Sequence, residues 1–216
     1  MVLLPSLLAD LRGYPVATVG LLLTPRGVGL MFAMLVLGRV GGRIDPRLSL
    51  AFGFCAIGIS SWAMTGWNLD VGAMDIAWTG IVQGLGAGAI VIPLGALTFA
   101  TLDPAHRTEA ASMWNLVRSA GSSLGISLAV FIVARLSGVS RAGLVEHVSP
   151  YSRAFAYPDS AGIWDFGSVR SLALLSREID RQSLMIGYLD VFFVSTWMAF
   201  LALLERLTNY SAGRLR

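Results

Sequence analysis

Five stretches of about twenty residues, nearly free of charge and divided by polar segments, limit what this chain can fold into. They run from Pro15 to Leu37, Leu48 to Gly66, Ile76 to Leu102, Ala110 to Ala134 and Gln182 to Leu204. A helix needs about 20 apolar residues to cross a hydrocarbon core of about 30 Å. Inside lipid the backbone must satisfy its own polar groups, which a helix does along its length. The expected fold class is therefore all-α, a polytopic transmembrane helix bundle of about five spans. Charged residues are 13% of the 216, against about 25% in a soluble domain, and that excludes a water-soluble globular class.

The remaining residues remove several functions. All sixteen basic residues are arginine, and all but Arg26 and Arg118 lie between or beyond the apolar runs; without a basic stripe on one face, nucleic-acid binding is not expected. Cys55 is the sole cysteine and sits within an apolar run, so it reads as a buried thiol and not as part of a disulfide framework. His106 and His147 have no carboxylate, cysteine or histidine at ligand spacing, and no metal or other cofactor is expected. No phosphate-cradling loop or H-E-x-x-H pair occurs, so the chain is read as no enzyme and ATP-driven transport has no machinery. An ion gradient is the energy source that is left.

Short loops rich in arginine stay in the cytoplasm. That places Gly38 to Arg47, Asp103 to Arg107 and the tail on the inner side of the cell membrane, and Asn68 to Asp75 outside. Five spans then run from an extracytoplasmic amino end to a cytoplasmic carboxy end. The expected organisation is an outer segment over 1–14, read as what a preceding helix would leave, and four transmembrane helices over 15–134. A long extracytoplasmic loop follows over 135–181, partly helical from Ser168 to Asp180, then a last transmembrane helix over 182–204 and a cytoplasmic tail over 205–216. Met1 to Leu8 is apolar but lacks a basic leader, and Asp10 and Arg12 stand where a cleavage site would be, so it is not read as a signal peptide.

Several residue runs resemble the fourteen-helix drug:proton antiporters of the major facilitator superfamily. They are Gly13-Tyr14, Thr24-Pro25-Arg26-Gly27, the basic stretch from Gly38-Arg39 to Arg47, Ala111-Ser112-Met113-Trp114-Asn115-Leu116-Val117-Arg118-Ser119-Ala120-Gly121, and Asp190-Val191-Phe192. The match covers nearly the whole chain, with one departure: Gly38 stands where the superfamily's motif has an acidic residue before its first arginine. By this resemblance the five spans are the tenth to fourteenth helices of a carrier, with the same outside start and inside finish that the arginines give. It implies a small organic substrate and protons as partners. It also implies an amino-terminal half, bearing the proton-coupling carboxylates, that is supplied in cis or in trans.

Polar side chains within the spans are the candidates for function. Arginine at the centre of a membrane helix costs about 2.5 to 3.5 kcal/mol, so Arg26 and Arg118 should face protein or water. Arg118 is either a cavity or coupling charge or a structural one bonded to backbone carbonyls. Arg26 lies beside Pro25, which frees a carbonyl that a guanidinium could bind. Asp190 could exchange a proton or be solvated at the outer interface. Gln83, Trp114 and Asn115 could line a cavity or join helices. Arg39, Arg43, Asp45 and Arg47 are candidates for a cytoplasmic gating loop of switchable ion pairs, or for a topology signal alone. Small residues at Gly121, Ser122, Ser123, Gly125 and Ser127 suggest close helix contact.

The function these readings imply is that of the carboxy-terminal fragment of a proton-coupled multidrug efflux transporter. It would export small amphipathic molecules by alternating access and be inactive without its missing half. The alternative is a non-transporting membrane remnant, or an interaction subunit of a split carrier.

Overall fold

A computed structural model describes residues 3–40, 44–99, 103, 106–147 and 169–212. Among them the regular structure is helical throughout: α1 Leu3–Arg12, α2 Val16–Val40, α3 Pro46–Thr65, α4 Ala73–Phe99, α5 Arg107–His147 and α6 Val169–Ala212. The last five are long and apolar enough to cross a membrane.

Local sequence sets the helix ends. Asp45 caps α3, its carboxylate accepting from the Arg47 amide at 3.0 Å with Pro46 in the first turn, where a missing N–H costs nothing. α1 ends at Gly13, whose φ of 63° is a left-handed conformation that glycine adopts without penalty. Its amide closes the helix on the Ala9 carbonyl at 3.1 Å.

α4 is the organising element, and its glycines make it so. Gly80, Gly84 and Gly88 recur every fourth residue and so share a face, which receives α2. A methyl group on Gly84 would collide with the Arg26 carbonyl, and one on Gly88 would come within 2.6 Å of the Ala33 side chain. On another side of α4, a Cβ at Gly86 would stand 2.8 Å from the Gly53 carbonyl of α3. Backbones can approach this closely only where side chains are absent. α2 and α3 thus both seat on α4 and hardly touch each other.

Polar bonds reinforce the α3–α4 seam. Ser60 donates to the Thr79 carbonyl at 2.8 Å and Ser49 to that of Ala89 at 2.9 Å. The second has a clear origin. Pro93 carries no N–H, so the carbonyl four residues before it, that of Ala89, is left free within α4, and α3 supplies the donor.

Among the described residues α5 packs mainly on α6, and α6 packs in turn on α3 and α1. The core lies at the end of the bundle where α1 is found. There Leu4, Leu7, Leu8 and Leu11 are buried against Met64, Trp67, Ile76 and Phe192, and Trp67 meets Phe192 edge to face at 6.1 Å. Arg12 ties this end together, donating to the Leu69 and Val71 carbonyls at 2.5 and 3.1 Å and to the Tyr14 hydroxyl at 3.1 Å. Arg181 of α6 donates to the Leu11 carbonyl at 2.9 Å.

Two expectations differ from the structure. The segment from 135 is helix and not loop where α5 continues to His147; α6 begins at Val169, where a helix over Ser168 to Asp180 was expected, and 148–168 lie outside the described residues. At 41 and 44 residues and 1.5 Å of rise per residue, each helix is about 60 Å long, twice the hydrocarbon thickness. Their polar ends are joined by the Arg141–Asp180 ion pair and steadied by Gln182 donating to Glu178 at 3.0 Å. Hydropathy marks where lipid ends, and these helices do not end there. Second, Gly121 and Gly125 make no close contact: a Cβ on either would meet nothing within 4 Å.

Candidate functional site

A cavity of about 500 Å³ lies between α1, α3, α4, α5 and α6. Its wall is mainly apolar, with Leu4, Met64, Ile126 and Phe192 among the lining residues, and it carries the polar side chains of Ser61, Gln83, Ser122 and Ser195. Ser122 and Ser195 spend their hydroxyls on their own helices, donating to the Ser119 and Val191 carbonyls at 2.8 Å each. Ser61 and Gln83 make no hydrogen bond among the described residues. They are the groups free to bind what enters.

One wall of this cavity continues along α5. Trp114, Arg118, Ser122 and Gly125 follow one another at spacings of four, four and three residues, which keeps them on one helical face. Ser122 and Gly125 line the cavity, so Arg118 stands one turn away on the same stripe. Asn115, seven residues before Ser122, lies on it too. Arg118 and Asn115 are exposed and Trp114 is half-buried. α4 and α5 make at most glancing contact, so the stripe faces an open cleft between them. At the far end of that cleft a second hollow of about 500 Å³ is lined by Ala96, Phe99, Arg107 and Ala111.

The other candidates lie elsewhere. Arg26 is half-buried on the α2–α4 seam, its Cβ beside Gly80. It makes no hydrogen bond among the described residues, so the carbonyl freed by Pro25 is not its partner. Gln83 is one residue from Gly84, hence about 100° round α4 from the face that meets Arg26. Asp190 is half-buried on α6 next to the lining residue Val191. Arg39 and Arg47 are exposed at the end of α2 and the start of α3, and Asp45 is used as the α3 cap; Arg43 is outside the described residues. No hydrogen bond or ion pair among the described residues joins any two of Arg26, Gln83, Trp114, Asn115, Arg118 and Asp190. Sequence reasoning passed over Ser61, because a serine in an apolar helix ordinarily bonds its own backbone.

These are the features of a helical bundle built around an internal hollow, and the model of the Major Facilitator Superfamily matches residues 1–145. The chain belongs to the major facilitator superfamily. It is accordingly a multi-pass membrane protein. Over 210 residues this facilitator chain is 30% identical to the multidrug export protein EmrB of Haemophilus influenzae, an alignment covering 94% of the chain and 40% of EmrB. It is 26% identical over 200 residues to the fatty acid resistance protein FarB of Neisseria gonorrhoeae, covering 91% of the chain and 39% of FarB. To the probable multidrug resistance protein EmrY of Escherichia coli it is 28% identical over 211 residues, covering 94% of the chain and 40% of EmrY. The chain thus spans about 40% of the length of these curated relatives. No solved structure matches it significantly.

Proposed function

We propose that this chain is the carboxy-terminal part of a proton-coupled exporter of small amphipathic molecules in the inner membrane, with its amino end outside and its carboxy end in the cytoplasm. The observation that carries the reading is the uncovered stripe of α5. Asn115, Arg118 and Ser122 are polar and share one face of a membrane helix, and Ser122 lines the cavity, in a chain whose relatives include multidrug export proteins. An arginine at that depth in bare lipid would be costly. Facing a water-filled or protein-lined cleft, it has a reason to be there.

In this reading the mainly apolar wall takes up the body of the substrate, Gln83 and Ser61 orient its polar end, and alternating access comes from rocking of this bundle against another. Proton coupling follows from the resemblance, and in this chain Asp190 is the carboxylate candidate. Export in this reading also draws on the part of the relatives' length that lies outside the match.

The test is export of a fluorescent cationic dye from cells. The chain alone should give none; co-expressed with, or fused to, the amino-terminal remainder of an EmrB relative, it should restore export that a protonophore abolishes. Export by the short chain alone would overturn the reading. No export from any combination, with both pieces stable in the membrane, would favour a non-transporting remnant.

A further inference from the structure

Because α2 and α3 both seat on α4 and hardly touch each other, a cleft of about 550 Å³ opens between them, away from the cavity above. Phe32 and Val36 form one wall, Leu48 and Phe52 the other, and Leu85 and Ala89 the floor. Phe32, Leu48 and Phe52 are each more than half exposed. The hydroxyl of Ser49 is the polar side-chain group in the lining, and the Ala89 carbonyl already takes it. The cleft therefore offers a ligand contact area and no hydrogen bond.

Its mouth is different. Arg39 follows Phe32 by seven residues and Val36 by three, so it continues the same wall. Arg47 sits in the first turn of α3 across the opening. Both are exposed, and neither side chain has a hydrogen-bond or ion-pair partner among the described residues. The one carboxylate of the segment, Asp45, is turned onto the α3 amide. Apolar walls ending in unneutralised arginines at a membrane face fit an amphiphile with a long apolar tail and an anionic head. A cationic drug would be repelled there. A further helix fits poorly too, since close helix contact calls for small residues and these walls are phenylalanine and leucine.

We propose that the α2–α3 cleft holds an acyl chain of an anionic phospholipid, with its phosphate on Arg39 and Arg47. This goes beyond the transport reading and requires only that the chain spans a membrane. The full chain in detergent is offered equal amounts of dioleoyl phosphatidylglycerol and dioleoyl phosphatidylcholine, and bound lipid is counted by native mass spectrometry. Phosphatidylglycerol should be retained preferentially. Arg39→Gln should cut that preference about five-fold, Arg177→Gln should leave it unchanged, and Val36→Trp, which fills the cleft, should lower retention of both lipids. Glycerol 3-phosphate, which has the head without the tail, should not compete.

Equal retention of the two lipids by the unaltered chain overturns the proposal whatever the variants do. An unchanged preference in a monodisperse Arg39→Gln sample overturns it as well. Displacement by glycerol 3-phosphate would do so by making the site one of charge alone.

Discussion

Ser49 and Pro93 lie on different helices and are linked through a third group, the Ala89 carbonyl. If the serine compensates for the proline's missing N–H, the two should be coupled. Ser49→Ala should cost about 1 kcal/mol in the native background and close to nothing once Pro93→Ala returns an amide to that carbonyl. Thermal unfolding of the four forms in one detergent measures the cycle, and an equal loss in both backgrounds would refute the link. Arg12 makes a contrasting pair with Arg141. Its Nη1 donates to both carbonyls while Nη2 donates to the Tyr14 hydroxyl, and the guanidinium lies over the Tyr14 ring at 5.3 Å. Arg12→Ala should therefore destabilise by about 2 kcal/mol, with Arg12→Lys recovering only part, because a single ammonium nitrogen cannot serve the carbonyls and the Tyr14 hydroxyl as two guanidinium nitrogens do. The Arg141–Asp180 pair is half-exposed on both sides, and Asp180→Ala should shift stability by less than about 0.5 kcal/mol in the same melts.

Among the helices, the spans from α2 to α4 are where the sequence speaks most plainly, with ends within three residues of those read from hydropathy. What hydropathy could not convey is which glycines matter. Gly84 and Gly95 look alike in the sequence, yet a Cβ at Gly84 meets the Arg26 backbone and one at Gly95 meets open space. Gly84→Ala should accordingly weaken the α2–α4 seam by about 1 to 3 kcal/mol, while Gly95→Ala should change the melting temperature little. Equal effects would mean that the seam is not set by this contact. Gln83 stood out on the cavity wall because a primary amide is rare in so apolar a run. Ser122 and Gly125 were legible as small, but not as uncovered: small residues admit a neighbouring helix or border a hollow, and only tertiary placement chooses. The polar end of α5 was hidden for a related reason, since an exposed helix outside lipid needs no apolar run.

At the scale of the whole molecule the uncovered surface is unevenly shared. Only 6% of the apolar window of α5 is buried, against 44% for α3, so α5 is the helix with most left to contact. If the remainder of a carrier covers it, a cysteine at position 118 should change its reactivity. In a Cys55→Ser background, Arg118→Cys should be labelled by a membrane-permeant maleimide in the chain alone and several-fold more slowly when the amino-terminal remainder of a relative is co-expressed. Unaltered labelling with a stably co-purifying partner would place α5 away from that interface. The lean of α5 on α6 also bears on synthesis. As the ribosome delivers the helices in order, α2, α3 and α4 can assemble at once, but α5 emerges without its main partner among these helices until the last span is made. A premature stop before Val169 would thus cost the cell two membrane helices and not one, leaving α5 as a loose segment for quality-control proteases.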